Sequence, residues 1–159
     1  MKEPKLDRNF HKRNRDNSMI HYYCPNCWRD FETDFENCPD CGANVKHLWE
    51  SRDIVEKLIL SLHHPDSQTA MRAAWLLGEI RDIRSVGPLM DLIKETSDIY
   101  MARAAVIALG KIGSDDALAF LESMADNQVA MVRDEIKNII PNRQAAKRGE
   151  KHDSQNNDG

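Results

Sequence analysis

Residues 73–80 read AAWLLGEI and residues 105–112 read AVIALGKI, so a run of small and apolar residues ending in Leu-Gly-x-Ile occurs twice. The two copies are 32 residues apart. Three apolar residues of the segment after the first copy recur at the same distance: Val86, Leu89 and Leu92 correspond to Leu118, Leu121 and Met124. Self-similarity at a fixed period of this length is typical of stacked repeats. The sequence therefore predicts an array of two-helix units.

The apolar residues between Asp53 and Ile140 follow the period of amphipathic helices, and Pro141 ends the pattern. The spacing predicts three helix pairs, with helices at 53–62, 67–80, 84–95, 98–112, 115–125 and 129–140. Side-chain caps are predicted at the starts of three helices, by Asp66, Ser85, and Ser114 or Asp115. Gly113 suits a left-handed position after a helix, whereas the equivalent position of the first unit holds Arg81.

The units resemble the short HEAT-like repeats of phycobilisome lyases, in which the second helix ends in a small-residue run followed by Leu-Gly-x-Ile. The match is best in the middle unit, at Arg103, Ala104, Ala105, Ala108, Leu109, Gly110, Ile112 and Gly113. The third unit lacks the Leu-Gly ending, as a terminal capping repeat can. The resemblance implies an all-α fold, a helical-repeat solenoid of three helix pairs.

The second helices of such an array line an inner, concave surface. Eight residues are predicted to face outward there: Met71, Ala74, Trp75 and Glu79 in one helix, and Arg103, Val106, Ile107 and Lys111 in the next. Trp75 and Ile107 occupy equivalent positions, and tryptophan near arginine is typical of interface hot spots. We therefore expect a protein partner to bind at Met71, Trp75, Arg103, Ile107 and Lys111. The alternative is that the cysteine segment, Trp49 or a sister chain covers this patch.

All four cysteines lie within residues 24–41, as Cys24-x2-Cys27 and Cys38-x2-Cys41 with ten residues between the pairs. Residues 1–20 contain no apolar export signal, so close-spaced cysteines favour metal ligation over disulfides. Two Cys-x-x-Cys turns together supply a closed tetrahedral shell for zinc. All four are predicted to bind one structural zinc ion, although four thiolates also suit iron.

The ten residues between the pairs, 28–37, suit a small β-hairpin in which Phe31 and Phe35 form a miniature core. With this pattern, the segment 21–47 resembles a zinc ribbon, except that Trp28 stands where the first turn usually has glycine. A segment of this size cannot bury enough apolar surface to fold alone. Folding and metal uptake are therefore expected to be coupled.

Four segments are predicted: a disordered basic tail at 1–20, the ribbon at 21–47, the repeats at 53–140 and a polar tail at 142–159. The net charge of −4 imposes no class of partner. No apolar run approaches the roughly 20 residues needed to cross a bilayer, and residues 1–20 do not form a secretory signal. A cytoplasmic location is therefore expected.

The sequence predicts a non-catalytic, metal-binding adaptor that recruits or assembles proteins. It contains no catalytic grouping with a recognisable context. Deoxyhypusine hydroxylase, which has similar repeats, binds iron through His-Glu pairs, and no His-Glu dipeptide occurs here. Two alternatives are a nucleic-acid-binding ribbon, assisted by the basic residues of the N-terminal tail, and a lyase-like or iron–thiolate redox accessory protein. The acidic ribbon argues against the first, since it would repel phosphates.

Overall fold

The computed structural model describes residues 21–126 and 129–140. The chain divides into two compact units, Met1–Leu48 and Trp49–Gly159. The two predicted tails, 1–20 and 142–159, lie outside the described residues. Within the described residues, no helix is both long enough and apolar enough to cross a membrane.

The second unit is all helical, and its six predicted helices are present. Their bounds are α2 Ile54–Ser61, α3 Ser67–Ile80, α4 Val86–Glu95, α5 Ile99–Ile112, α6 Asp115–Ser123 and α7 130–140. A 3-10 helix, Ile83–Ser85, precedes α4. One further helix, α1 Val45–Glu50, was not predicted; it begins inside the predicted ribbon, 21–47, and ends before the predicted start of the repeats at residue 53. It has no buried residue, so it leaves no apolar period in the sequence.

Polar side chains fix the starts of most helices. Asp66 accepts a hydrogen bond from the backbone N–H of Thr69 at 3.0 Å, and Ser114 accepts one from Ala117 at 3.2 Å, as predicted. The prediction for Ser85 is wrong, because its side chain makes no cap hydrogen bond. Asp82 caps the preceding 3-10 helix instead, and this extra turn buries the Ser85 hydroxyl.

The helices form two layers. α2, α4 and α6 are the first helices of the three pairs, and α3, α5 and α7 are the second helices. Each of the last five helices contributes a fully buried branched residue: Leu77, Leu89, Leu109, Leu121 and Ile136. Fully burying one such side chain contributes roughly 1.5–3 kcal/mol. Leu77 and Leu109 are 32 residues apart, and so are Leu89 and Leu121. The buried core therefore repeats with the same period as the sequence.

Two glycines allow the second helices to approach one another closely. A Cβ atom added at Gly78 would lie 2.8 Å from the Cα of Ala108, a backbone atom of α5. A Cβ atom added at Gly110 would lie 2.8 Å from Cδ1 of Ile139 on α7. The Leu-Gly-x-Ile pattern therefore marks the points at which neighbouring second helices touch.

The first two second helices end on a left-handed residue. Gly113 has φ 64° and Arg81 has φ 57°, and the N–H of each bonds the carbonyl of a leucine four residues earlier. The left-handed conformation costs a residue with a Cβ atom about 1–2 kcal/mol. Arg81 thus occupies a position where glycine would be more stable.

Replacing Arg81 with glycine is expected to raise the free energy of unfolding of the helical unit by about 1 kcal/mol, since the left-handed strain disappears. Replacing Gly113 with alanine should lower it by about the same amount. Denaturant unfolding followed by circular dichroism measures both changes. Changes of the same sign in the unfolding free energy of Arg81→Gly and Gly113→Ala would contradict the role of left-handed strain.

The first unit contains a two-stranded antiparallel sheet, in which β1 Tyr22–Tyr23 pairs with β2 Asp30–Phe31. The predicted position of the hairpin, 28–37, is therefore wrong. The strands flank the first cysteine pair, because that turn itself reverses the chain. A single bridge between Asn37 and Asn44 flanks the second pair in the same way. Phe31 and Phe35 are in contact, edge to face with ring centroids 4.8 Å apart, but both rings are only half-buried, so the predicted miniature core is reduced to this pair.

Candidate metal centre and binding surface

Both cysteine turns have the same backbone hydrogen bonds. The N–H of Trp28 donates to the carbonyl of Cys24 at 2.8 Å, and that of Gly42 donates to Cys38 at 2.9 Å. The N–H of each first cysteine donates in turn to the carbonyl five residues later. The two turns are therefore copies of one structure, each of which presents two sulfurs.

Each turn needs a left-handed residue directly after its second cysteine. Gly42 supplies it in the second turn with φ 73°, and Trp28 supplies it in the first with φ 57°. The tryptophan therefore keeps the turn geometry that glycine would give, at a steric cost.

The four predicted ligands, Cys24, Cys27, Cys38 and Cys41, come together, and their sulfur atoms all lie within 4.8 Å of one another. The closest pairs join the two turns, Cys24 Sγ to Cys41 Sγ at 3.6 Å and Cys27 Sγ to Cys38 Sγ at 3.7 Å. A tetrahedral ion with bonds of about 2.3 Å separates its sulfurs by about 3.8 Å. The arrangement is compatible with one tetrahedrally bound metal ion.

The surroundings of the sulfurs favour partial ionisation. Hydrogen bonds from the backbone of Ala43 and the side chain of Asn26 lower the pKa of Cys41 to about 6. A hydrogen bond from the backbone of Arg29 also lowers the pKa of Cys27. Burial and the neighbouring thiols outweigh it and raise that pKa to about 12. Burial also raises the pKa of Cys24. The Cys41 thiolate is thus stabilised while Cys24 and Cys27 resist ionisation, because the negative charges would repel one another. A bound cation would remove that repulsion.

The histidines that flank the module in sequence are not part of this cluster. His21 Nδ1 lies 3.0 Å from a carboxylate oxygen of Asp30, and the side chain of His47 is exposed. The first unit also lacks an apolar core: within residues 21–48 only Cys24, Pro25 and Cys38 are buried. Two of these three residues are candidate ligands.

The five predicted partner-binding residues lie on α3 and α5, and each is at least partly accessible. Trp75 is 53% exposed and Arg103 is exposed, whereas Met71, Ile107 and Lys111 are half-buried. Two other residues that we predicted to face outward do not. Ala74 and Val106 are fully buried, because each lies four residues before a contact glycine, on the side that meets the next helix.

Ion pairs between equivalent positions of adjacent units cross this surface. Lys111 pairs with Glu79, and its ammonium lies 5.7 Å from the ring centroid of Trp75. Arg103 pairs with Glu135 of α7 at 2.8 Å. The members of each pair are 32 residues apart, one unit length.

The sequence analysis missed three residues of this surface. Arg81, Glu135 and Ile139 line a depression together with Ile107, Gly110 and Lys111. Ile139 lies 32 residues after Ile107, which lies 32 after Trp75, so the three form a column, here called the apolar column. Extending the repeat register into the third unit would have identified it.

The comparisons with known proteins agree with the helical unit. A family model described as HEAT repeats matches residues 55–139, which is 85 of the 159 residues. No curated protein matches the chain. The matched region covers all three helix pairs, so the predicted fold class is confirmed. The chain belongs to the HEAT repeat family.

Proposed function

We propose that this protein is a non-catalytic adaptor, in which a structural zinc ion organises the cysteine module and the HEAT repeats bind a protein partner. The observation that carries the proposal is the apolar column, which begins at an exposed tryptophan and crosses all three second helices. HEAT repeats commonly present such surfaces for binding. The proposal places the protein in a reducing compartment, the cytoplasm, where thiols persist.

The sulfur geometry suits a structural zinc ion. Four thiolates in a closed tetrahedral shell are typical of structural zinc, and this shell leaves no open position for a substrate. The ion would supply the folding energy that a unit with three buried residues lacks. Iron in the same shell is the competing identity, and metal analysis of the purified protein distinguishes the two.

The surface around Trp75 has the chemistry of a binding hot spot. Contiguous apolar surface on a protein often marks an interaction site, and Trp75 stands in one column with the half-buried Ile107 and Ile139. Lys111 lies over the ring, and its pair with Glu79 restricts the movement of its ammonium group. A partner side chain docked there would displace water from an apolar surface that already has a fixed polar border.

Replacing Trp75 with alanine is expected to reduce capture of a specific partner about tenfold or more, because truncating a hot-spot tryptophan costs about 2 kcal/mol. The measurement is quantitative co-purification from the native host with wild-type and variant bait. Ile54→Ala is the control, since Ile54 is 62% exposed on a first helix. Circular dichroism should show unchanged helicity. Equal capture by wild type and Trp75→Ala would remove the proposed binding surface.

A further inference from the structure

Charge is unevenly distributed between the two layers of the helical unit. The second helices and Arg81 carry six Lys/Arg against three Asp/Glu, a balance of +3. The rest of residues 51–140 carries four against eleven, a balance of −7. Helix capping explains some of the acids, since Asp53, Asp66, Asp82 and Asp98 all cap helix starts. Capping does not explain why the cations concentrate on the second helices.

Three of these cations, Arg72, Arg81 and Lys137, have no acidic partner within residues 21–126 and 129–140. Arg103 and Lys111 form the ion pairs described above, whereas the guanidinium groups of Arg72 and Arg81 form none with the described residues. Arg72 is exposed and lies three residues before Trp75, on the same side of α3. Arg81 borders the depression that contains Ile107 and Ile139. The two arginines thus lie on opposite sides of the apolar column.

Arg81 also occupies a left-handed position that favours glycine, and the next unit has glycine there. An arginine at a position that costs stability indicates a use for its side chain other than folding. A guanidinium at the edge of an apolar depression is suited to pair with a carboxylate.

We propose that the partner of this surface is an acidic protein segment, in which aspartate or glutamate residues flank an apolar anchor. The anchor docks on the apolar column, and the carboxylates pair with Arg72 and Arg81. This inference rests on the proposed function and names the chemistry of the partner. Charge complementarity of this kind accelerates association and excludes basic segments.

A nucleic acid fits the surface less well than an acidic peptide does. A phosphate backbone needs a row of available cations. Here two of the cations, Arg103 and Lys111, already pair with carboxylates, so the surface does not offer a continuous row of them. The centre of the surface is aliphatic and aromatic, which suits a peptide side chain.

A displayed library of short randomised peptides, selected on the zinc-loaded full chain, tests the inference. We expect the enriched peptides to carry Asp and Glu around an aromatic or aliphatic residue. A synthetic peptide of the enriched sequence should bind about tenfold more weakly to the double variant Arg72→Glu/Arg81→Glu. Its affinity should also fall with added salt, because salt screens exposed charges. The matched control is Lys57→Glu/Lys94→Glu, which makes the same charge change on first helices and should bind normally.

Three outcomes would overturn the inference. Enriched peptides without acidic residues, whose binding still depends on Trp75, would refute the acidic partner and leave the proposed function intact. Failure to enrich any peptide whose binding depends on Trp75 would refute both. Binding of a labelled RNA or DNA oligonucleotide that depends on Arg81, without binding of an acidic peptide, would assign the surface to nucleic acid.

Discussion

With zinc as the proposed metal, Cys38→Ser is expected to lower the bound metal from one ion per chain to none and to unfold the first unit. Three thiolates and a hydroxyl make a poor zinc shell, because the hydroxyl has neither the negative charge nor the softness of a thiolate and is a weaker ligand. Cys38 is also buried, so the replacement leaves a polar group where the sulfur was. The free energy at stake is large, since structural zinc contributes about 10–16 kcal/mol in zinc-finger peptides.

Elemental analysis and two-dimensional NMR measure this result. The amide signals of residues 21–48 should collapse in the variant, while those of the helical unit should persist, since its core is separate. Removing the metal with a chelator should reproduce the effect in the wild type. His47→Ala is the control, because His47 is near the module in sequence but outside the sulfur cluster. Wild-type protein free of metal, or a Cys38→Ser variant that keeps one ion, would contradict the prediction.

The repeat architecture could be predicted because its determinants are local or periodic. Apolar positions 32 residues apart set the helices, and Asp66 and Ser114 fix two of the helix starts through adjacent backbone groups. Ser85 misled the prediction because Asp82, three residues earlier, already starts a 3-10 turn. Sequence spacing does not show which of two nearby caps the chain uses.

The candidate sites also contain parts that could be predicted from local sequence and parts that could not. The four cysteines could be identified from spacing alone, since a Cys-x-x-Cys turn fixes where its sulfurs lie. The strand positions could not, because the turn around Cys24 takes the place of a separate hairpin loop. The burial of Ala74 and Val106 could not be predicted for a different reason. It depends on how closely the helices approach at Gly78 and Gly110, which is a property of the packed array.

Alanine at Gly78 is expected to destabilise the helical unit by about 2 kcal/mol. Alanine is the better helix former by about 1 kcal/mol, so in isolation the change would stabilise α3. The added Cβ atom, however, would lie 2.8 Å from the Cα and 3.1 Å from the Cβ of Ala108. A backbone atom cannot rotate away, so α3 and α5 must separate along their contact. Overpacking of this kind costs typically 1–3 kcal/mol and occasionally more.

Alanine at Gly110 should change stability much less, within about 1 kcal/mol of zero. The same helix-forming gain applies, but the atoms that the new Cβ meets, at 2.8, 2.9 and 3.1 Å, all belong to the side chain of Ile139. That side chain is half-buried on the last second helix, so it can change rotamer or move outward. The two glycines occupy equivalent positions, yet one opposes backbone and the other a side chain.

Thermal and denaturant unfolding of the two variants measure the difference, with Gly87→Ala as a third member. No atom beyond the adjacent residues lies within 4 Å of a Cβ added at Gly87 in α4. Pro88 follows it, however, and proline disfavours a helical residue with a Cβ atom directly before it. The helix-forming gain is therefore offset, and this variant should stay within about 1 kcal/mol of wild type. For a domain of this size, each 1 kcal/mol moves the melting temperature by about 4–8 °C. Gly78→Ala is therefore expected to be the least stable of the three variants, because only its new methyl group meets backbone atoms of another helix. Equal losses of unfolding free energy in Gly78→Ala and Gly110→Ala would contradict the explanation, because the helices would then adjust equally to a clash with backbone and to a clash with a side chain.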